Sequence, residues 1–228
     1  LTQSFTLMPR YAGSAWSAGS ALPSIAMRGI AWGTASDTLT YYLVAGAGGA
    51  LYKSTNDVTS SSLTSSNLMW TAISSSGISS NLNAAIYTLS KFIVVGDGGT
   101  VSASSDLATW TTSTLTGVSR LNALASNGSR VVAVGDGGAI AYSADGVTWA
   151  SATVPVTANL YGVTYASSGT WVAVGASGTV LTSGDGVSHD CIVKTVNHGL
   201  NDHATVDSHL LVQGKKLFFR GLNGGEAT

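Results

Sequence analysis

The residues that invite a chemical reading are few. GDGG occurs at 96–99 and again at 135–138. A glycine-rich loop cradles phosphate when it opens a helix and carries a Lys with a Ser or Thr for the metal. Here the residues that follow, TVSAS and AIAYS, read as strands, and neither loop holds a Lys. Aspartates recur at Asp106, Asp145 and Asp185, in steps of 39 and 40. A divalent cation asks for several converging carboxylates, and one per step does not supply them. All four histidines, His189, His198, His203 and His209, lie in the C-terminal part with Cys191. These are metal-ligating types, but no CxxC, HExxH or His-x-His spacing organises them, and no partner base is specified that would make Cys191 a nucleophile. A glycosidase needs two facing carboxylates. The one glutamate is Glu226, and the arginines (Arg10, Arg28, Arg120, Arg130 and Arg220) form no cluster. The reading is therefore a protein that is not an enzyme, with no catalytic residue, no cofactor and no metal ligand.

The elements that carry these residues come as a repeat. VAGAGGALYKS (44–54), VVGDGGTVSAS (94–104), AVGDGGAIAYS (133–143) and AVGASGTVLTS (173–183) align on Gly46, Gly96, Gly135 and Gly175. Two copies lack the aspartate of GDGG, having Ala47 and Ala176 instead, so the turn does not depend on it. Trp16, Trp70, Trp110 and Trp149 keep the same beat, and His189 stands 40 residues after Trp149, where a fifth would fall. The long step from Trp16 to Trp70 is accounted for by a polar insertion at 57–67, a loop by composition. Another segment precedes each glycine motif: MRGIAW (27–32), NLNAAIY (81–87), RLNALAS (120–126) and NLYGVTY (159–165). Its period is near two, as in strands. Each unit then reads as four short strands, the last running through Thr-Trp, joined by glycine turns with positive φ. Four strands per repeat of about 40 residues is the arithmetic of a β-propeller blade. A blade cannot bury both faces alone and stacks on its neighbours. The regularly spaced tryptophans are expected to pack between blades, and the aspartates to cap hairpins through their backbone N–H groups.

Composition bounds the function. Charged residues are 9%, hydrophobic residues 44% and the net charge is −1, against roughly 25% charged in an ordinary domain. No basic stripe exists to neutralise a phosphate backbone, which argues against nucleic acid. No apolar run reaches the roughly 18 residues of a membrane helix. A surface of Ser, Thr, Asn, Gly and Ala suits a subunit of an assembly. One cysteine excludes an intrachain disulfide framework. The chain begins at Leu1 without a signal-peptide pattern, so both ends read as cut from something longer. Asn127-Gly128-Ser129 matches a glycosylation acceptor but reads as a turn.

SSDLATW (104–110), SADGVTW (143–149) and the worn SGDGVSH (183–189) follow the pattern S-x-D-x-x-T-W. With the preceding VGxGG, they resemble the Asp-box of bacterial neuraminidase repeats, in the shortened form of propellers like photosystem II assembly factors. The resemblance spans about 16–190 and implies a propeller. It does not carry over sialidase chemistry, which in that family uses an arginine cluster, a Tyr–Glu pair and an acid Asp. The tail departs from the repeat. His198, Gly199, Leu200, Val206, Leu222, Asn223 and Gly224 match a small β-module of phage structural proteins, named for its likeness to the FCCH domain of ubiquitin-activating enzymes. The usual Gly-Asp after His-Gly-Leu is missing, and the sequence stops soon after GLNG.

The expectation is an all-β chain in three parts. Residues 1–16, with Phe5, Leu7 and Tyr11, end a preceding blade or form an N-terminal strand. Residues 17–190 form about four blades, and 191–228 a small module. Together the resemblances imply a structural or adhesive protein of a phage tail, in a fibre or tail tip. It is expected in the virion, or otherwise at a cell surface, as a homotrimer. Its partners would be other tail proteins and a host glycan or outer-membrane protein, with Trp32, Tyr41 and Tyr42 and the 57–67 loop as contact candidates. The alternatives are an assembly-factor binding module and a glycan-cleaving enzyme.

Overall fold

The computed structural model describes residues 22–54, 69–154 and 156–188, and the backbone of strands at 191–194, 209–213 and 216–220. Four antiparallel sheets of four strands follow one another along the chain. The first is β1 (Met27–Thr34), β2 (Thr40–Gly46), β3 (Leu51–Ser54) and β4 (Trp70–Ala72). The second is β5 (Leu82–Thr88), β6 (Lys91–Gly96), β7 (Thr100–Ser104) and β8 (Thr111–Thr114). The third is β9 (Leu121–Ser126), β10 (Val131–Gly135), β11 (Ile140–Ser143) and β12 (Ala150–Ser151), and the fourth β13 (Leu160–Tyr165), β14 (Trp171–Gly175), β15 (Thr179–Ser183) and β16 (Cys191–Lys194). Within each sheet the strands pair in sequence order, as in a meander. This is a propeller-like array of blades.

The apolar runs explain the stacking. Every residue of Val131–Gly135 is buried, and so is every residue of Phe92–Gly96. Side chains alternate across a strand, so a run buried throughout needs a neighbour on each face. Those neighbours are adjacent blades. One core joins Ala31, Leu43, Ala45 and Leu51 of the first blade to Leu82, Phe92 and Val94 of the second. Another joins Ala125, Val132 and Val134 of the third to Leu160, Trp171, Ala173 and Leu181 of the fourth. Each fully buried Val or Leu stabilises the array by about 1.5–3 kcal/mol relative to its exposed state. Close packing also dictates small residues: a side chain at Gly33 of β1 would enter the Tyr87 ring of β5.

Two boundaries differ from the expectation. The fourth strand does not run through Thr-Trp in the second and third blades but starts after it, at Thr111 and Ala150. The Asp-box turn holds the segment up to the tryptophan, so pairing with the third strand resumes only beyond it. The fourth blade takes its outer strand from Cys191–Lys194, which pairs with β15 from Thr182 to Thr179, past the boundary expected at 190. The chain divides into two compact units, Leu1–Thr195 and Val196–Thr228. In the second, β17 (His209–Gln213) and β18 (Lys216–Arg220) form an antiparallel hairpin. The expected blade end at 1–16, Trp16, the 57–67 loop, His198, His203 and the module motif lie outside the described residues. No described helix is long and apolar enough to cross a membrane.

Candidate functional site

The GDGG turns are positioned by β6–β7 and β10–β11. Gly98 and Gly99 both have φ of 66°, the left-handed conformation glycine adopts without strain. The Asp97 carboxylate accepts from Asn81 Nδ2 at 2.8 Å, Asn83 Nδ2 at 2.9 Å and Arg120 Nε at 2.8 Å. Partial burial would raise its pKa; hydrogen bonds from Asn83, Asn81 and Arg120, with the Arg120 charge, outweigh that and hold it below the usual carboxylate range. Its oxygens face protein donors, leaving no cradle for a phosphate. Asp136 likewise accepts from Asn122 Nδ2 at 2.8 Å.

These asparagines are the residues that sequence reasoning missed. Each inner strand carries a register shift near its start, between Leu82 and Ala84 in β5 and between Leu121 and Ala123 opposite the Gly135–Val134 step. A bulge of this kind re-aims a side chain. Asn83 Nδ2, besides bonding Asp97, lies 3.0 Å from the Leu121 carbonyl of the next blade, and Asn122 Nδ2 lies 2.8 Å from the Leu160 carbonyl. The GDGG aspartate, through an asparagine, thus clasps one blade to the next. A signal was present: Asn83 and Asn122 are 39 residues apart. At the ends of the array the same position holds Arg28, which donates to Asn83 Oδ1 at 2.8 Å, and Tyr161.

The Asp-box aspartates sit at the opposite turns. Asp106 Oδ1 accepts the backbone N–H groups of Ala108 at 2.8 Å and Thr109 at 2.7 Å and the Ser104 hydroxyl at 2.9 Å. Asp145 does the same for Val147, Thr148 and Ser143, and Asp185 for Val187, Ser188 and Ser183. Those backbone bonds are the main reason that Asp106 and Asp185 titrate at about 2 and that Asp145 is also lowered. A general acid needs the opposite shift.

The tryptophans lie at blade boundaries. Trp149 packs against two clusters that join Val95 and Ala103 of the second blade to Leu121 and Val131 of its own. Trp110 packs in the core shared by the first and second blades. Trp70 is half-buried at the start of β4. Gly96, Gly135 and Gly175 are the last residues of β6, β10 and β14, where each backbone passes the carbonyl of the residue before the blade's inner strand: Asn81, Arg120 and Asn159.

The contact candidates separate. Trp32 is 64% exposed and Tyr42 half-buried, paired on one face of the first blade. Tyr41 faces the other way and is 5% exposed. Its hydroxyl donates to Asp37 at 2.7 Å and Lys53 Nζ lies over its ring. Tyr41 is therefore enclosed in the core shared with the second blade and does not share the face of Trp32 and Tyr42, because adjacent strand residues point to opposite faces. Among the described residues no three of His, Cys, Asp and Glu come together as a metal site.

No protein-family model matches the chain, and no curated protein matches it. Solved structures do. One titled "YCF48 bound to D1 peptide" shares 14% identity with a TM-score of 0.52, covering 71% of this chain and 51% of that one. YCF48 from Cyanidioschyzon merolae shares 14% identity with a TM-score of 0.50, covering 72% of this chain and 54% of that one. The likeness is one of fold, and the chain spans about half the length of these propeller neighbours.

Proposed function

We propose that the chain is a recognition scaffold, a propeller array that displays loops to another macromolecule without turning it over. The observation that carries this reading is the employment of its carboxylates. Among the described residues Asp37, Asp97, Asp106, Asp136, Asp145 and Asp185 each accept hydrogen bonds that hold a turn or a blade boundary. A rigid frame with its polar groups so engaged leaves loops as the variable surface. That one neighbour is titled as peptide-bound supports a protein as the partner class.

The setting we favour is a phage tail, in a fibre or tail tip, where the propeller contacts host glycan, an outer-membrane protein or another virion protein. The support is the resemblance of the C-terminal segment to a phage structural module and the near-neutral, Ser- and Gly-rich composition. The peptide-bound neighbour keeps an assembly-type binding protein as the second reading. Against a glycan-cleaving enzyme, Asp97, Asp106, Asp145 and Asp185 among the described residues are all lowered, where the acid of such chemistry is raised.

The test is saturable binding of the labelled chain to intact cells across a panel of bacterial strains. Cells pretreated with trypsin or periodate separate protein from glycan receptors. Saturable binding to a subset of strains, lost on one pretreatment, is expected. Absence of saturable binding on every strain overturns the host-contact reading.

A further inference from the structure

At two boundaries between consecutive blades, the hairpin joining a blade's first two strands is tied to the Asp-box turn of the next. Between the first and second blades the Ser36 N–H donates to the Ser105 carbonyl at 2.8 Å. Between the third and fourth, Arg130 Nη1 donates to the Asp185 carbonyl. Between the second and third, the residue in the place of Arg130 is Lys91. Each stands one before a residue, Phe92 or Val131, that pairs with the Asp-box serine, Ser104 or Ser143. The Lys91 stem runs beside Gly146 of the third blade's Asp-box turn. Among the described residues no hydrogen bond or ion pair engages its ammonium.

A cleft of about 330 Å³, open to solvent, lies beside this lysine, lined by Lys91, Ser105, Asp106, Thr109, Thr111 and Val147. Small-molecule sites hold about 300–1,000 Å³. The walls come from two blades that are held together by the Asn83 amide on the Leu121 carbonyl and by the Thr88 and Ser126 hydroxyls, 2.7 Å apart. The cleft is thus formed before any ligand arrives. Asp106 Oδ1 is engaged by its own turn. The groups left to a ligand are the Lys91 ammonium and the exposed hydroxyls of Ser105, Thr109 and Thr111. A hydroxyl both donates and accepts, so these groups suit a polyol. The charges of Lys91 and Asp106 cancel, which favours a neutral one. Apolar surface comes only from Ala103 and Val147, too little to anchor a peptide through large side chains in pockets.

We propose that this cleft binds a neutral sugar residue, with one sugar oxygen accepting from Lys91 and its hydroxyls paired with Ser105, Thr109 and Thr111. The inference rests on the recognition reading above. It assigns a glycan as the partner and the boundary between the second and third blades as its site.

Saturation-transfer difference NMR on the full chain tests it, with methyl glucoside, methyl galactoside, methyl mannoside and N-acetylglucosamine as probes. At least one probe is expected to bind saturably. Lys91→Met is expected to weaken it about tenfold, as loss of one charge-assisted hydrogen bond does. Circular dichroism stays that of the wild type, because methionine keeps the stem beside Gly146. Thr111→Val is expected to weaken the same probe, and Lys53→Met on the first blade to leave it unchanged. No saturable probe overturns the proposal, as does an affinity unchanged in both Lys91→Met and Thr111→Val. Tighter binding of acetate or phosphate than of every sugar also overturns it, since the cleft is then an anion site. Binding to intact cells is scored separately, so the cleft can fail while the scaffold reading stands.

Discussion

Asn83 donates to the Leu121 carbonyl at 3.0 Å across a blade boundary, and Asn122 repeats the bond to Leu160 at 2.8 Å. Each asparagine is braced by its own blade's turn aspartate. Removing the amide leaves a part-buried carbonyl and part of a carboxylate without a donor, a cost of about 1–3 kcal/mol. Asn83→Ala is expected to lower the unfolding free energy by that amount, read as a lower urea midpoint at unchanged slope. Asn122→Ala should match it, because the geometry repeats. Equal midpoints for variant and wild type would show that water replaces the clasp.

Trp149 should matter more than either clasp. Its half-buried ring packs against clusters that draw buried aliphatic residues from two blades, and its removal is expected to cost about 3 kcal/mol, the low end for a core Trp. Trp149→Ala is expected to show that loss in equilibrium unfolding followed by circular dichroism. A loss below that of Asn83→Ala would contradict the role of the ring as an inter-blade wedge.

Acid should loosen the Asp-box turns. Asp106 and Asp185 titrate at about 2 when folded, against an ordinary value of 3.8. A depressed folded pKa contributes stability that is present above the unfolded value and lost as pH falls through the folded one. The window is therefore about pH 4 down to pH 2. Asp106→Asn is expected to shift part of the stability loss out of this window in midpoints measured against pH. A profile identical to the wild type would mean that the carboxylate charge adds nothing to the turn.

Much of this was legible in the sequence because repetition averages out local ambiguity. Four glycine motifs in phase placed the second and third strands, and Ser104 and Asp106 recurring as Ser143 and Asp145 marked a shared turn. The clasps were not read, although Asn83 and Asn122 share the spacing. Asparagine beside a turn has an ordinary local explanation, and only the bulge at the start of each inner strand shows its amide reaching the next blade. Tyr41 and Tyr42 part for a simpler reason: consecutive strand residues face opposite ways, so only Tyr42 shares the face of Trp32.

The central claim is that the turn aspartates hold the frame while recognition resides elsewhere. The most direct test compares wild type with the Asp106→Asn, Asp145→Asn double variant in the cell-binding assay, on the strain bound best, with released saccharide measured in parallel. The account predicts the same Kd for both proteins and no saccharide release by either. Saccharide released by the wild type and abolished in a variant that remains folded would contradict it.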